Sequence, residues 1–132
     1  MKVSIITLFA LLSINNIQAN PIDEMFDAYQ QAGVASIDPQ QGKALWNKPF
    51  ITEKSKGKQR SCASCHGLDV TQSGEHLRTG KVIEAMAKSV NDKRFTDSKK
   101  IKKWFKRNCK WTLGRECSAQ EQADILKFLI TQ

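Results

Sequence analysis

Residues 62 to 66 read Cys-Ala-Ser-Cys-His, and this run restricts folding more than any other feature of the chain. Two thiols one helical turn apart, followed at once by an imidazole, make the attachment pattern of a c-type haem. Both thiols reach the vinyl groups of one porphyrin while the histidine is directed at the iron. The same residues admit a zinc site, built from Cys62, Cys65 and His66 and completed by the distant Cys109 or Cys117. A thioredoxin-type redox pair is a further reading of the two cysteines, but it belongs to a reducing compartment.

The compartment is suggested by the start of the chain. Lys2 precedes an apolar run from Val3 to Ile14, Asn15 and Asn16 end it, and Ile17-Gln18-Ala19 reads as a cleavage site. Residues 1–19 are therefore expected to be an export signal that is removed, leaving a mature chain from Asn20 in the periplasm. The apolar run is too short for a permanent membrane span. Residues 20–132 then make one small domain, whose limited core gains from a covalent cofactor or a disulfide. Four cysteines suit an oxidising compartment, two for thioether bonds and two free to pair. The formal net charge of +8 includes Lys2, and the positive surface should attract anionic partners. Nucleic acid is not the expected partner of an exported chain.

Apolar periodicity predicts an all-α domain with no clear β-strand and no internal repeat. Pro21 opens a helix carrying Ile22, Met25, Phe26 and Tyr29 at i, i+3, i+4 and i+7, with Gly33 as its stop. Asp38-Pro39 starts a second, which uses Ala44, Leu45 and Trp46 and ends before Pro49. The polar stretch TEKSKGKQR that follows has no apolar face and reads as an exposed loop. Val82, Ile83, Met86 and Val90 predict a helix over 81–89. Asp97 caps another, whose buried stripe takes in Ile101, Trp104, Phe105 and Asn108. The last opens with the capping box Ser118 to Glu121 and packs through Ile125, Leu126, Leu129 and Ile130.

A haem leaves the sixth iron position to be filled, and three residues compete for it. Met86 would give a soft thioether ligand suited to electron transfer; its alternative is a methionine filling the core. His76 would give a bis-histidine iron, against the reading of a solvated loop residue. Asn108 is a polar amide on an apolar stripe, where it must find a partner or cost about 1–3 kcal/mol; its alternative is a backbone-bonded asparagine near a helix end. The pattern leaves open whether Trp46, Trp104 or Trp111 lines the haem pocket.

Beyond the motif, the chain resembles the sphaeroides haem protein (SHP) family, small exported cytochromes with a class I cytochrome c core and an extra N-terminal helix. The resemblance is carried by SCASCHG with Asp69-Val70-Thr71, RTGK from Arg78, RFTD from Arg94, KWFKRNC from Lys103, LGREC from Leu113 and the terminal EQADILKFL. It implies that Asn108 is the sixth ligand of the oxidised iron and that Cys109 pairs with Cys117. It gives Met86 no ligand role and matches His76 to no motif residue. It also implies a reduced form that binds oxygen and nitric oxide, with electrons from a dihaem cytochrome c fed by a membrane cytochrome b, and it allows peripheral membrane contact.

An amide oxygen is a hard, weak donor that suits ferric better than ferrous iron, so reduction should free Asn108. Its NH2 could then donate to a bound diatomic molecule. The expected protein is a ligand-binding cytochrome c with Asn108 as gate. The alternatives are a plain electron carrier ligated by Met86, and a terminal oxidase, peroxidase or nitric oxide reductase. Lys99, Lys100, Lys102, Lys103, Lys106, Arg107 and Lys110 read either as a solvated helix face or as a docking surface for an acidic redox partner.

Overall fold

The computed structural model describes residues 19–132, so the export signal expected over residues 1–19 lies almost wholly outside the described residues. Five helices carry the fold: α1, Pro21–Gln31; α2, Pro39–Asn47; α3, Ala63–His66; α4, Ser98–Thr112; and α5, Ala119–Ile130. The four long ones begin where their caps predict. Asn20, Asp38, Asp97 and Ser118 each accept a backbone N–H of the first turn, and Pro21 and Pro39 occupy first-turn positions where no amide is needed. At Ser118 the capping box with Glu121 closes in both directions.

The core forms two apolar clusters, and α5 contributes to both. Met25, Tyr29, Val34 and Ile101 surround Ala123 and Leu126 in one, while Trp46, Val70 and Ala87 surround Ile125, Phe128 and Leu129 in the other. Phe95 and Phe105 pack against both. Helix α2 reaches α5 through Gly42, where an added Cβ would lie 2.1 Å from the Asp124 carbonyl oxygen. The buried Asp124 carboxylate accepts the Asp38 amide at 2.8 Å and the Gln120 side-chain amide at 2.9 Å, so its polar atoms join the two helices.

Three expectations are corrected. Residues 81–89 are not helical. Val82–Ile83 (β2) pairs antiparallel with Gly74–Glu75 (β1), in the register Gly74 to Ile83 and Glu75 to Val82. The amides a helix would need are spent elsewhere: Met86 and Ala87 both donate to the Val70 carbonyl, at 2.9 Å, and Lys88 donates to that of Leu129 at 3.1 Å. Tertiary backbone bonds thus override a local period of four apolar residues, and Val90 is left exposed.

The polar stretch 52–60 is not merely an exposed loop. Glu53–Ser55 forms a 3-10 turn in which Ser55 is 2% exposed, its hydroxyl donating to the Thr52 carbonyl and accepting the Thr52 amide. Backbone bonds in both directions between Phe50 and Arg60 close the stretch at its base.

Helix α4 has two working faces rather than one buried stripe. Ile101, Cys109 and Thr112 are buried and Phe105 half-buried, whereas Trp104 and Asn108 are exposed on the protein chain. At 3.6 residues per turn, Trp104, Asn108 and Trp111 share a face displaced from the one that meets α5. A disulfide joins Cys109 to Cys117 and ties the end of α4 to the start of α5.

Two stability measurements test this architecture. Gly42→Ala should lower the unfolding free energy by about 1–3 kcal/mol in urea titration, because the crowding outweighs any gain in helix propensity; an unchanged midpoint would contradict the α2 to α5 approach. The double variant Cys109→Ser, Cys117→Ser opens a loop of sequence separation 8. By the chain-entropy relation it should lose about 2.5 kcal/mol in the same assay.

Candidate haem site

Helix α3 is a single turn, and its shortness sets the site. Ser61 and Ser64 lock its entry by reciprocal bonds: Ser61 N–H donates to Ser64 Oγ at 2.9 Å and Ser64 N–H to Ser61 Oγ at 3.1 Å. Gly67 ends the turn at φ +82°, a conformation that favours glycine. This places Cys62, Cys65 and His66 together on one wall of a cavity of about 960 Å³. Gly74 lets β1 lie directly on that wall, since a Cβ there would fall 2.1 Å from the Cys65 carbonyl oxygen.

His66 is the most perturbed group on this wall. Burial first, then the charges of Arg94 and His76, push its imidazole down to about 4, so the ring is neutral and available as a metal donor. Its Nδ1 is buried without a hydrogen-bond partner among the described residues. The buried Trp46 ring lies 5.3 Å away, fixed by its own Nε1–H, which donates to the Gly67 carbonyl at 3.0 Å. Burial also pushes the Cys62 thiol up to about 11. A thiol held protonated is a poor nucleophile, which argues against a thioredoxin-type pair. The disulfide consumes Cys109 and Cys117, and the described residues contain no cluster of His, Cys, Asp or Glu arranged to hold a metal ion, so the zinc site also fails.

The three residues weighed for the sixth position all line the same cavity, but in different settings. Met86 packs against the cluster around Trp46 and Phe128 while its amide is tied to Val70. His76 sits in the turn between β1 and β2, with its Nδ1 3.1 Å from the Thr79 hydroxyl and facing the amides of Thr79 and Arg78. Asn108 approaches from α4, with Trp104 one turn before it and Trp111 one turn after, both also lining the cavity. All three tryptophans left open by the sequence therefore border this space.

Two residues gain roles that the sequence did not reveal. Arg94 spans the 84–94 segment by donating to the carbonyls of Ala85 at 3.0 Å and Glu84 at 2.6 Å. Phe95 holds φ +61°, which a bulky side chain rarely adopts, and its packing against both clusters holds it there. An arginine and a phenylalanine in a polar segment carry no periodic signal that would have marked either one.

The cavity suits a covalently attached haem. It offers two free thiols beside a neutral imidazole, apolar walls from Trp46, Phe95, Ile101, Phe105 and Leu129, and a rim where Arg78, Lys81, Lys93 and Arg107 can face carboxylates.

A family described as "Domain of unknown function (DUF1924)" matches residues 32–129. The cytochrome c-type protein SHP of Cereibacter sphaeroides is 40% identical over 111 residues, covering 83% of this chain and 82% of that protein. Cytochrome c'' of Methylophilus methylotrophus is 40% identical over 91 residues, 69% of this chain and 62% of that protein. Among solved structures, oxidised SHP, described as an oxygen-binding cytochrome c, superposes with a TM-score of 0.74 at 39% identity, covering 84% of this chain and 96% of that one. Oxidised cytochrome c'' from M. methylotrophus gives 0.76 at 31% identity, with 85% and 94% covered. The helical fold, the pocket and these relatives agree: the chain belongs to the SHP family of c-type cytochromes, within DUF1924, and carries one covalently bound haem c.

Proposed function

We propose that this cytochrome is a redox-switched binder of small diatomic ligands, oxygen or nitric oxide, exported to the periplasm by residues 1–19. In this reading Cys62 and Cys65 hold the haem through thioether bonds, His66 is the permanent iron ligand and Asn108 the releasable one. The observation that carries it is the shared cavity, with His66 presented by α3 and Asn108 by α4 between two indoles. The haem supplies an iron that changes oxidation state and accepts a ligand. The chain's residues set when that happens. His66 stays neutral and wedged against Trp46, so it keeps its orientation in both states. Asn108 would hold the iron through its amide oxygen, a donor that suits ferric iron better than the softer ferrous iron. Its NH2 then becomes a hydrogen-bond donor beside the open position.

Two relatives support a mobile sixth ligand: SHP is described as oxygen-binding, and cytochrome c'' in terms of haem-ligand detachment. The alternative, a plain electron carrier ligated by Met86, is less well supported: that half-buried side chain packs against the cluster around Trp46 and Phe128 and its amide is tied to Val70. Whether ligand binding leads on to turnover, with Asn108 then acting in catalysis, is decided by measuring substrate loss with a physiological donor.

The donor we propose is an acidic redox protein, of the dihaem cytochrome c kind, fed by a membrane cytochrome b. On α4, Lys100, Lys102, Lys106 and Lys110 lie within 4.0 Å of carboxylates of Asp97, Glu24 and Glu116. These exposed pairs are weak and offset part of the charge, while Lys99, Lys103 and Arg107 form no ion pair among the described residues and leave the face net positive, Arg107 lying 4.9 Å above the Trp104 ring at the cavity.

Two measurements test the reading. Asn108→Ala should change the ferric absorption and electron paramagnetic resonance spectra by removing the sixth ligand, while the ferrous protein still takes up CO and NO; an unaltered ferric spectrum removes Asn108 as ligand. Reduction by an acidic donor should slow steeply as the screening length falls from about 30 Å to about 8 Å with added salt. A rate insensitive to salt rules out docking through this face.

A further inference from the structure

The stretch from Phe50 to Arg60 does more than connect α2 to α3. Closed at its base by the Phe50 to Arg60 backbone bonds, of 2.8 and 2.9 Å, and folded around the buried Ser55, it leans on the end of α4 at two places. Gly114 meets Thr52 there: a Cβ on Gly114 would lie 3.1 Å from the Thr52 methyl. The second contact is Arg60 itself. One guanidinium nitrogen donates to the Trp111 carbonyl at 3.2 Å, another to the Lys54 carbonyl at 3.1 Å, and the guanidinium carbon lies 4.3 Å over the Trp111 ring. One planar group thus grips a backbone carbonyl and the indole of the same residue, and its own loop as well.

The positions along the chain give this grip its meaning. Arg60 stands two residues before Cys62, and Trp111 stands three residues after Asn108, in the next turn of α4. We propose that Arg60 is a positioning residue for the sixth iron ligand, tying the haem-attachment segment to the helix that presents Asn108 and so fixing how closely Asn108 can approach the iron. The proposal rests on the assignment of Asn108 as ligand and goes beyond it by naming what holds that ligand in place. The Cys109 to Cys117 bridge anchors the same turn toward α5, so Arg60 supplies the tie from the haem side. Lysine cannot replace it, because an ammonium neither stacks flat on an indole nor donates along two fixed directions at once.

The test uses the haem-loaded protein and four variants: Arg60→Met, Arg60→Lys, Asn108→Ala, and Arg60→Met combined with Asn108→Ala. The readouts are the ferric absorption and electron paramagnetic resonance spectra and the rate at which the ferrous protein takes up CO. Arg60→Met should shift the native ferric spectrum toward the one that Asn108→Ala gives, with Arg60→Lys close to it. In the Asn108→Ala background Arg60→Met should change neither readout, since the ligand it positions is gone. A native ferric spectrum in Arg60→Met, alongside an altered one in Asn108→Ala, overturns the clamp and leaves the ligand assignment standing. So does an equal change in both backgrounds, which would mean that Arg60 acts on the haem by another route. A native spectrum in Arg60→Lys alone reduces the effect to charge and also overturns it. A native spectrum in Asn108→Ala removes the ligand assignment and the clamp with it.

Discussion

The close approach of α2 to α5 at Gly42 is the constraint on which the rest of this fold depends. Because no side chain intervenes, the backbones meet, and Trp46 and Ile125 come into one cluster. Trp46 can then hold both the Gly67 carbonyl and the face of His66. Helix α5 also receives α1 and α4 through the second cluster. Its position therefore sets the distance between the attachment wall, on α3, and the opposite wall, on α4. A shift of α5 would move both walls of the haem pocket at once.

Helix α4 resolves two demands on one element. Its core face, with Ile101, Phe105, Cys109 and Thr112, provides the packing that keeps it folded. The neighbouring face, with Trp104, Asn108 and Trp111, is spent on the cavity. Placing an amide beside an apolar stripe would be a defect in an ordinary core helix, since a buried polar group must be partnered. Here the amide is exposed on the protein chain and lines the cavity. The disulfide and the Phe50 to Arg60 stretch both grip the C-terminal end of α4, close to that amide.

The elements that could be read in advance were those whose signals are local. Pro21, the starts at Asp38-Pro39, Asp97 and Ser118, and the periodic runs behind them, place α1, α2, α4 and α5. The expectation failed at residues 81–89, where the apolar spacing was helical but the amides of Met86, Ala87 and Lys88 were taken by Val70 and Leu129, both distant in sequence. It failed again at 52–60, where a wholly polar composition hid a buried serine and an arginine clamp. A polar stretch gives no sign of packing when its contacts are made by one hydroxyl, one methyl and one guanidinium.

The five residues from Cys62 to His66 determined the cofactor by themselves, because covalent attachment and iron ligation need only a short, fixed spacing. The sequence alone also located α1, α2, α4 and α5, though it added a helix over 81–89 that does not form. What it could not settle was the opposite side of the pocket. Asn108, Met86 and His76 are 42, 20 and 10 positions beyond His66, and spacing says nothing about which of them is free to turn toward the iron. In the tertiary structure all three line one cavity in different settings: Met86 packs against the cluster around Trp46 and Phe128, a hairpin turn engages His76, and α4 brings Asn108 in between two indoles.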